Sequence, residues 1–319
     1  MSGPAPQPAG QPEWSESRER SNLFLLRLMT SLSLRLGRRA ARLLLYPITL
    51  YFLGFAPRAR RASLAYLSRV SGRRARLRDT FGHLLSFAST ILDRVYLLNG
   101  RFEQFDIRVH GTDVIDAALA DGGGAFLLGA HLGSFEVIRA AGRQRPGLQV
   151  AITMYEENAR KVNDVLQAVN PAMRQDVIAL GSLDAMLKVR DYLERGFLVG
   201  MLADRTLAQR ASDPVEPRDF LGAAAGFPTG PLRIAAMLRR PTLFMTGLYL
   251  GGNRYEIHFE WLADFSRTPR RDRDAEIEAA LARYVAALER HCRAAPRNWF
   301  NFYDFWQDSR SGAPASAPR

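Results

Sequence analysis

Hydrophobic positions along this chain fall into three regimes. Between Leu23 and Ala56, Leu, Phe, Met and Tyr dominate, interrupted by Arg27, Arg35, Arg38, Arg39 and Arg42. From Thr80 to Leu98 the apolar residues recur at helical spacing. Phe81, Leu84, Leu85, Ala88, Ile91, Leu92 and Val95 share one face, which predicts an amphipathic helix. His83 lies on or near that face and reads as structural. Beyond Leu98, short apolar runs framed by glycine and polar residues alternate with helical segments. The runs predict strands over 105–109, 125–128, 148–154, 177–180, 197–202, 242–250 and 255–261. The intervening segments predict helices over 113–120, 135–141, 156–169, 183–194, 231–238 and 274–293. Such alternation predicts an α/β fold with a central, mostly parallel sheet flanked by helices. No internal repeat is visible.

The first regime reads differently. Its longest uncharged run, Leu43 to Ala56, is shorter than the roughly 20 residues of a spanning helix. Pro47 should kink or end a helix. Two adjoining helical pieces in a membrane interface are therefore expected, with arginines facing headgroups. Arg58, Arg60, Arg61, Arg69, Arg73, Arg74, Arg76 and Arg78 follow, and suit an anionic cytoplasmic leaflet. A buried hydrophobic helix with ordinary solvated arginines is the competing reading. The expected organisation is a disordered start (1–21), a helical membrane-associating segment (22–78), an α/β domain (79–306) and a disordered tail (307–319). No secretory signal is visible in the polar first twenty-odd residues.

Composition sharpens the choice of partner. The 319 residues are 47% hydrophobic and carry a formal net charge of +12, nearly all of the positive charge being arginine. That balance favours an anionic partner: a membrane surface, an acidic protein or nucleic acid. The single cysteine, Cys292, excludes an intrachain disulfide and a cysteine-rich metal site. It lies in a predicted helix and reads as a small buried side chain.

Candidate chemistry centres on Gly129-Ala-His-Leu-Gly-Ser-Phe-Glu136. The buried strand ends just before His131. Ser134 can cap the next helix, whose first turn carries Glu136. A tight turn can fold that carboxylate onto the imidazole, fixing its tautomer and leaving the other nitrogen as a general base. The plainer alternative is a hydrogen-bonded structural histidine. Asp204 and Arg205 end a second apolar strand and can face the same cleft, with the arginine gripping a phosphate or carboxylate, or else form a local salt bridge. The segment from Arg218 to Gly230 reads as a small-residue loop before a helix. Its Thr229–Gly230 amides, with those near Gly133, are candidate donors to an oxyanion. Asn298 to Trp306 is a dense aromatic patch that can line a lipid groove, meet a membrane interface or cap the core. No Gly-x-Ser-x-Gly elbow, P-loop lysine or recognised metal-ligand spacing is present.

Ala130-His-Leu-Gly-Ser-Phe-Glu136, Met201-Leu-Ala-Asp-Arg205, the Phe220–Gly230 segment and Pro296-Arg-Asn-Trp299 together resemble the bacterial lipid A biosynthesis acyltransferases, within the lysophospholipid acyltransferase superfamily. The resemblance implies a glycerolipid acyltransferase-like fold with His131 and Glu136 as its catalytic dyad, to which the residues themselves add Asp204, Arg205, Gly133, Thr229 and Gly230 as expected substrate contacts. It further implies an acyl carrier protein or coenzyme A thioester as donor, a membrane lipid or glycolipid acceptor, and work at the cytoplasmic face of the inner membrane on its anionic surface. It implies no metal or redox cofactor, and no nucleic acid partner. The usual Asp-Gln is Asp204-Arg205 here, and the tail reads Phe300-Asn-Phe-Tyr-Asp-Phe-Trp306 rather than being rich in His and Arg. That tail is similar to a subgroup of acyltransferases associated with aryl-polyene pathways. The acceptor stays open on these grounds. The alternative from another class is a non-catalytic basic protein that binds lipid or nucleic acid.

Overall fold

The structure is a computed structural model that describes residues 13–144, 148–155, 169–170, 176–180, 183–205 and 214–308. Three helices come first: α1 (Glu13–Phe55), α2 (Pro57–Ser71) and α3 (Leu77–Leu98). An α/β unit follows: β1 (Asp106–His110), α4 (Thr112–Leu119), β2 (Ala125–Gly129), α5 (Phe135–Gln144), β3 (Val150–Tyr155), β4 (Val177–Leu180), α6 (Leu183–Glu194) and β5 (Leu198–Leu202). It continues with β6 (Val215–Phe220), β7 (Ala223–Pro228), α7 (Gly230–Leu238), β8 (Pro241–Tyr249), β9 (Arg254–Asp264), α8 (Arg273–Ala294) and the short α9 (Phe305–Asp308). The predicted helix over 156–169 falls almost wholly outside the described residues.

Seven strands form one sheet in the order β1-β9-β8-β2-β5-β3-β4. Every neighbouring pair is parallel except β8–β9. The expected α/β architecture is therefore the observed one. All five residues of β2 are buried, as a glycine-framed apolar run requires when both sheet faces are covered. One core layer packs on the α8 side, around Phe126, Phe244, Tyr284 and Trp299. The other packs on the α5 side, around Leu127, Val137 and Met245.

Two local expectations are corrected. The segment expected as a loop is an antiparallel hairpin, β6–β7. Leu221 and Gly222 both take positive φ (52° and 76°), the two-residue turn that matches strand twist. Alanine and proline in its strands masked the β pattern. The N-terminal helix breaks at Gly37 (φ 79°, ψ 157°), and Pro47 lies within its second half. Glycine reaches that left-handed φ at little cost. α1 begins at Glu13, inside the stretch expected to lack structure.

The N-terminal helices are tied to the sheet. Ala41 and Leu45 of α1 pack on Leu92 and Tyr96 of α3. Arg38 donates twice to the buried Asp93 (2.7 and 2.8 Å), which also accepts from the Tyr255 hydroxyl (2.8 Å). Arg42 donates to the Tyr249 hydroxyl (2.7 Å). The opposite face of α1 has no such cover: Leu43, Leu50, Tyr51 and Phe55 are 59–76% exposed. Among the described residues no single helix is long and apolar enough to cross a membrane. The stretch Arg38–Phe55 with α2 passes that test only as a pair bent by 96°.

Candidate active site

Parallel pairing of β2 with β5 sets Gly129 opposite Leu202. Both strands end there, so the next residues of each chain leave the sheet side by side. Ala203 N–H donates to Gly129 O (3.0 Å), and His131 and Asp204 follow at the carboxyl ends of the strands, where α/β folds place their sites. A carboxylate only accepts, so the 2.8 Å contact fixes the proton on His131 Nδ1, donated to Asp204 Oδ1. Nε2 is then the basic nitrogen. The imidazole is 29% exposed and Asp204 is fully buried.

Oδ2 of Asp204 accepts three hydrogen bonds, from His131 N–H (3.0 Å), Trp299 Nε1–H (3.0 Å) and Asn301 Nδ2–H (2.9 Å). Burial alone would raise its pKa. The charge and hydrogen bond of His131, with Arg205 nearby, outweigh burial and hold it at about 2. Asp204 is thus an ionised, fixed acceptor at neutral pH.

The His131 backbone is equally constrained. Phe300 N–H donates to His131 O (2.7 Å), Gly133 N–H to Asn298 O (2.8 Å) and the Thr246 hydroxyl to Leu132 O (3.0 Å). Gly133 takes φ +75°, and a Cβ there would lie 2.1 Å from Gly247 O. Behind the C-terminal segment, the buried His83 donates from Nε2 to Trp299 O and accepts from Ser63 at Nδ1 (both 2.9 Å). Burial lowers its pKa to about 4, so it holds Trp299 as a neutral ring.

The expected contact between Glu136 and His131 is absent. The Glu136 oxygens are taken by Arg139 (2.7 Å) and Arg94 (3.6 Å), joining α5 to α3. The carboxylate on the imidazole is Asp204, expected instead as a substrate contact. Gly133 and Thr229 are corrected as oxyanion donors, because their amides serve Asn298 O and Pro214 O. No hydrogen bond joins Thr229 or Gly230 to His131 among the described residues. Arg205 does reach the site: it donates to Asn301 Oδ1 (2.7 Å) and Phe300 O (3.3 Å) and lies over Tyr303. Trp299 and Asn301 were not singled out as site residues. Both lie within recognisable segments, Trp299 in Pro296–Trp299 and Asn301 in the tail Phe300–Trp306, but neither segment points to a contact with Asp204. Cys292 is buried beneath, its thiol pushed up by desolvation.

Glu136→Ala should lower thermal stability, since it strips a charged hydrogen-bond partner from the nearly buried Arg139, worth about 1.5–3 kcal/mol. Calorimetric melting checks this. An unchanged melting temperature would mean that the Glu136–Arg139 pair contributes nothing to the fold.

Beside the site an apolar cavity of about 390 Å³ opens between α1 and α3, lined by Leu45, Phe52, Leu84, Phe87, Ile91 and Phe302 among others. Phe302 lies two residues beyond Phe300, whose amide holds His131.

A His–Asp pair at the carboxyl ends of two neighbouring strands of an α/β sheet is the candidate site. Residues 89–308 match the model of the bacterial lipid A biosynthesis acyltransferases. The chain belongs to this family and is an acyltransferase of lipid biosynthesis. Among solved structures it is similar to the 1-acyl-sn-glycerophosphate (LPA) acyltransferase PlsC from Thermotoga maritima, with 15% identity and a TM-score of 0.36 over 79% of this chain and 98% of that one. No curated protein matches it.

Proposed function

We propose that the protein moves a fatty acyl chain from an acyl carrier protein or coenzyme A thioester to a hydroxyl (or amine) of a membrane lipid or glycolipid, with His131 as general base. The observation that carries this reading is the partly exposed imidazole whose Nδ1–H is held by a buried carboxylate. His131 Nε2 takes the proton as the acceptor oxygen attacks the thioester carbonyl. Collapse of the tetrahedral intermediate breaks the C–S bond, and the imidazolium returns the proton to the departing thiolate. Asp204 orients the ring and stabilises its charged form. Glu136 is a positioning residue that seats α5 behind the His131 turn.

The apolar cavity between α1 and α3, lined by Phe52, Ile91 and Phe302 among others, supports an acyl chain lying against α3. Arg205 supports a grip on an anionic group of donor or acceptor. The exposed face of α1 with the arginines of α2 supports shallow insertion into an anionic leaflet, at the cytoplasmic face of the inner membrane. The tail from Phe300 to Trp306 favours the aryl-polyene-associated subgroup.

The test is transfer of a radiolabelled acyl chain into total membrane lipids, from acyl carrier protein and coenzyme A thioesters in parallel. Label should enter a lipid with the parent and not with His131→Ala. Failure of both donors with a folded, vesicle-binding parent would overturn the reading.

A further inference from the structure

Three of the five histidines lie away from His131, grouped at the β1–β9 edge of the sheet. His110 and His258 are register partners on these parallel strands, and Glu256 precedes His258 by two residues on the same sheet face. Each of the three offers one ligand atom, and these atoms all lie within 4.8 Å of one another. We infer that His110, Glu256 and His258 bind a divalent transition metal ion of the zinc class and so staple the edge strand β1 to β9.

The donor set suits such an ion. Two imidazoles and one carboxylate, with a position left for water, are a common zinc environment and also accept cobalt(II) and nickel(II). Ligation near 2.0–2.1 Å needs the donors roughly 3.3 Å apart. Glu256 is already 3.6 Å from His258 Nε2. His110 is exposed, with its ring stacked 4.6 Å from that of His258, so a side-chain rotation closes the set.

The chain has 44 Lys and Arg against 32 Asp and Glu, yet no arginine competes for the Glu256 carboxylate in an ion pair among the described residues. Arg108, its register partner, sits by Asp106 instead (3.9 Å). The back of the site is fixed. The His291 ring lies 4.7 Å from that of His258, stacks on Phe244 and holds Glu260 (2.6 Å). Among the described residues β1 has only β9 as a neighbour, so a cross-strand ligand would hold it in place.

The test is titration of the full chain with Co²⁺, read by its ligand-field absorption, and with Zn²⁺, read by calorimetry and melting temperature. The parent should bind one equivalent and melt higher with Zn²⁺. His110→Ala and His258→Ala should each weaken binding at least about tenfold, and His131→Ala should not. The exposure of His110 keeps that variant folded. No stoichiometric binding by the folded parent, equal binding by both edge variants, or loss on His131→Ala would each overturn the site.

Discussion

Asp204→Asn should lower acyl transfer by about 10³–10⁴-fold without unfolding the protein, the scale lost when a general-base histidine is held in the wrong tautomer. Three donors converge on Oδ2: His131 N–H, Trp299 Nε1–H and Asn301 Nδ2–H. A carboxamide must therefore turn its oxygen to them. Its NH₂ then occupies the Oδ1 position and faces His131 Nδ1 as a donor. The ring answers by moving its proton to Nε2, the nitrogen that must accept one from the substrate. Single-turnover transfer rates with circular dichroism as the fold control check this. A variant within tenfold of the parent would remove Asp204 from the mechanism. A stability signature of the carboxylate accompanies the effect. Its folded pKa is about 2, below the 3.8 of a free aspartate, so its pairing stabilises the fold in full above 3.8. That contribution fades as pH falls through 3.8 and is lost below about 2. Urea melts across this window should show the parent losing stability that the Asn variant never had.

The partner of His131 was hard to read from sequence for a physical reason. Glu136 is five residues away, and a turn can bring such neighbours together, whereas Asp204 reaches His131 only because β2 pairs with β5 in parallel with Gly129 opposite Leu202. Strand register is a tertiary fact. What periodicity reports is that each run ends in polar residues, and both ends were legible: His131 after β2, Asp204 and Arg205 after β5. Local chemistry does the same for helices, and α6 and α7 fall almost where their patterns put them. Local signals failed where a tertiary partner decides the outcome. Phe220 and Phe227 anchor the β6–β7 hairpin against Trp299, Trp306 and Phe305 despite weak β propensity. Pro47 stays within a helix whose inner face packs on α3, while the chain turns at Gly37. Asn301 enters the sequence reading only as one polar residue of the aromatic tail Phe300–Trp306. Its importance arises because Phe300 and Trp299 lie antiparallel to His131 and Leu132, which puts its amide on Asp204.

Replacing Leu43, Leu50, Tyr51 and Phe55 together with serine should cut binding to anionic vesicles by about 10³-fold while leaving the soluble fold unchanged. These side chains contribute little to the core, since each is more than half exposed. Full burial of such a side chain is worth about 1.5–3 kcal/mol, and shallow insertion of an already part-covered one about 1 kcal/mol. Four of them give about 4 kcal/mol, close to three decades of affinity. The arginines of α2 supply a second attraction that salt screens over about 8–10 Å, whereas the apolar part persists in salt. Co-sedimentation at low and high ionic strength separates the two. The parent should keep a salt-resistant fraction on vesicles, and the serine variant should bind only at low salt. Equal salt-resistant binding by both proteins would mean that α1 does not enter the bilayer. The cavity between α1 and α3 would then have to receive its acyl chain from solution rather than from the leaflet.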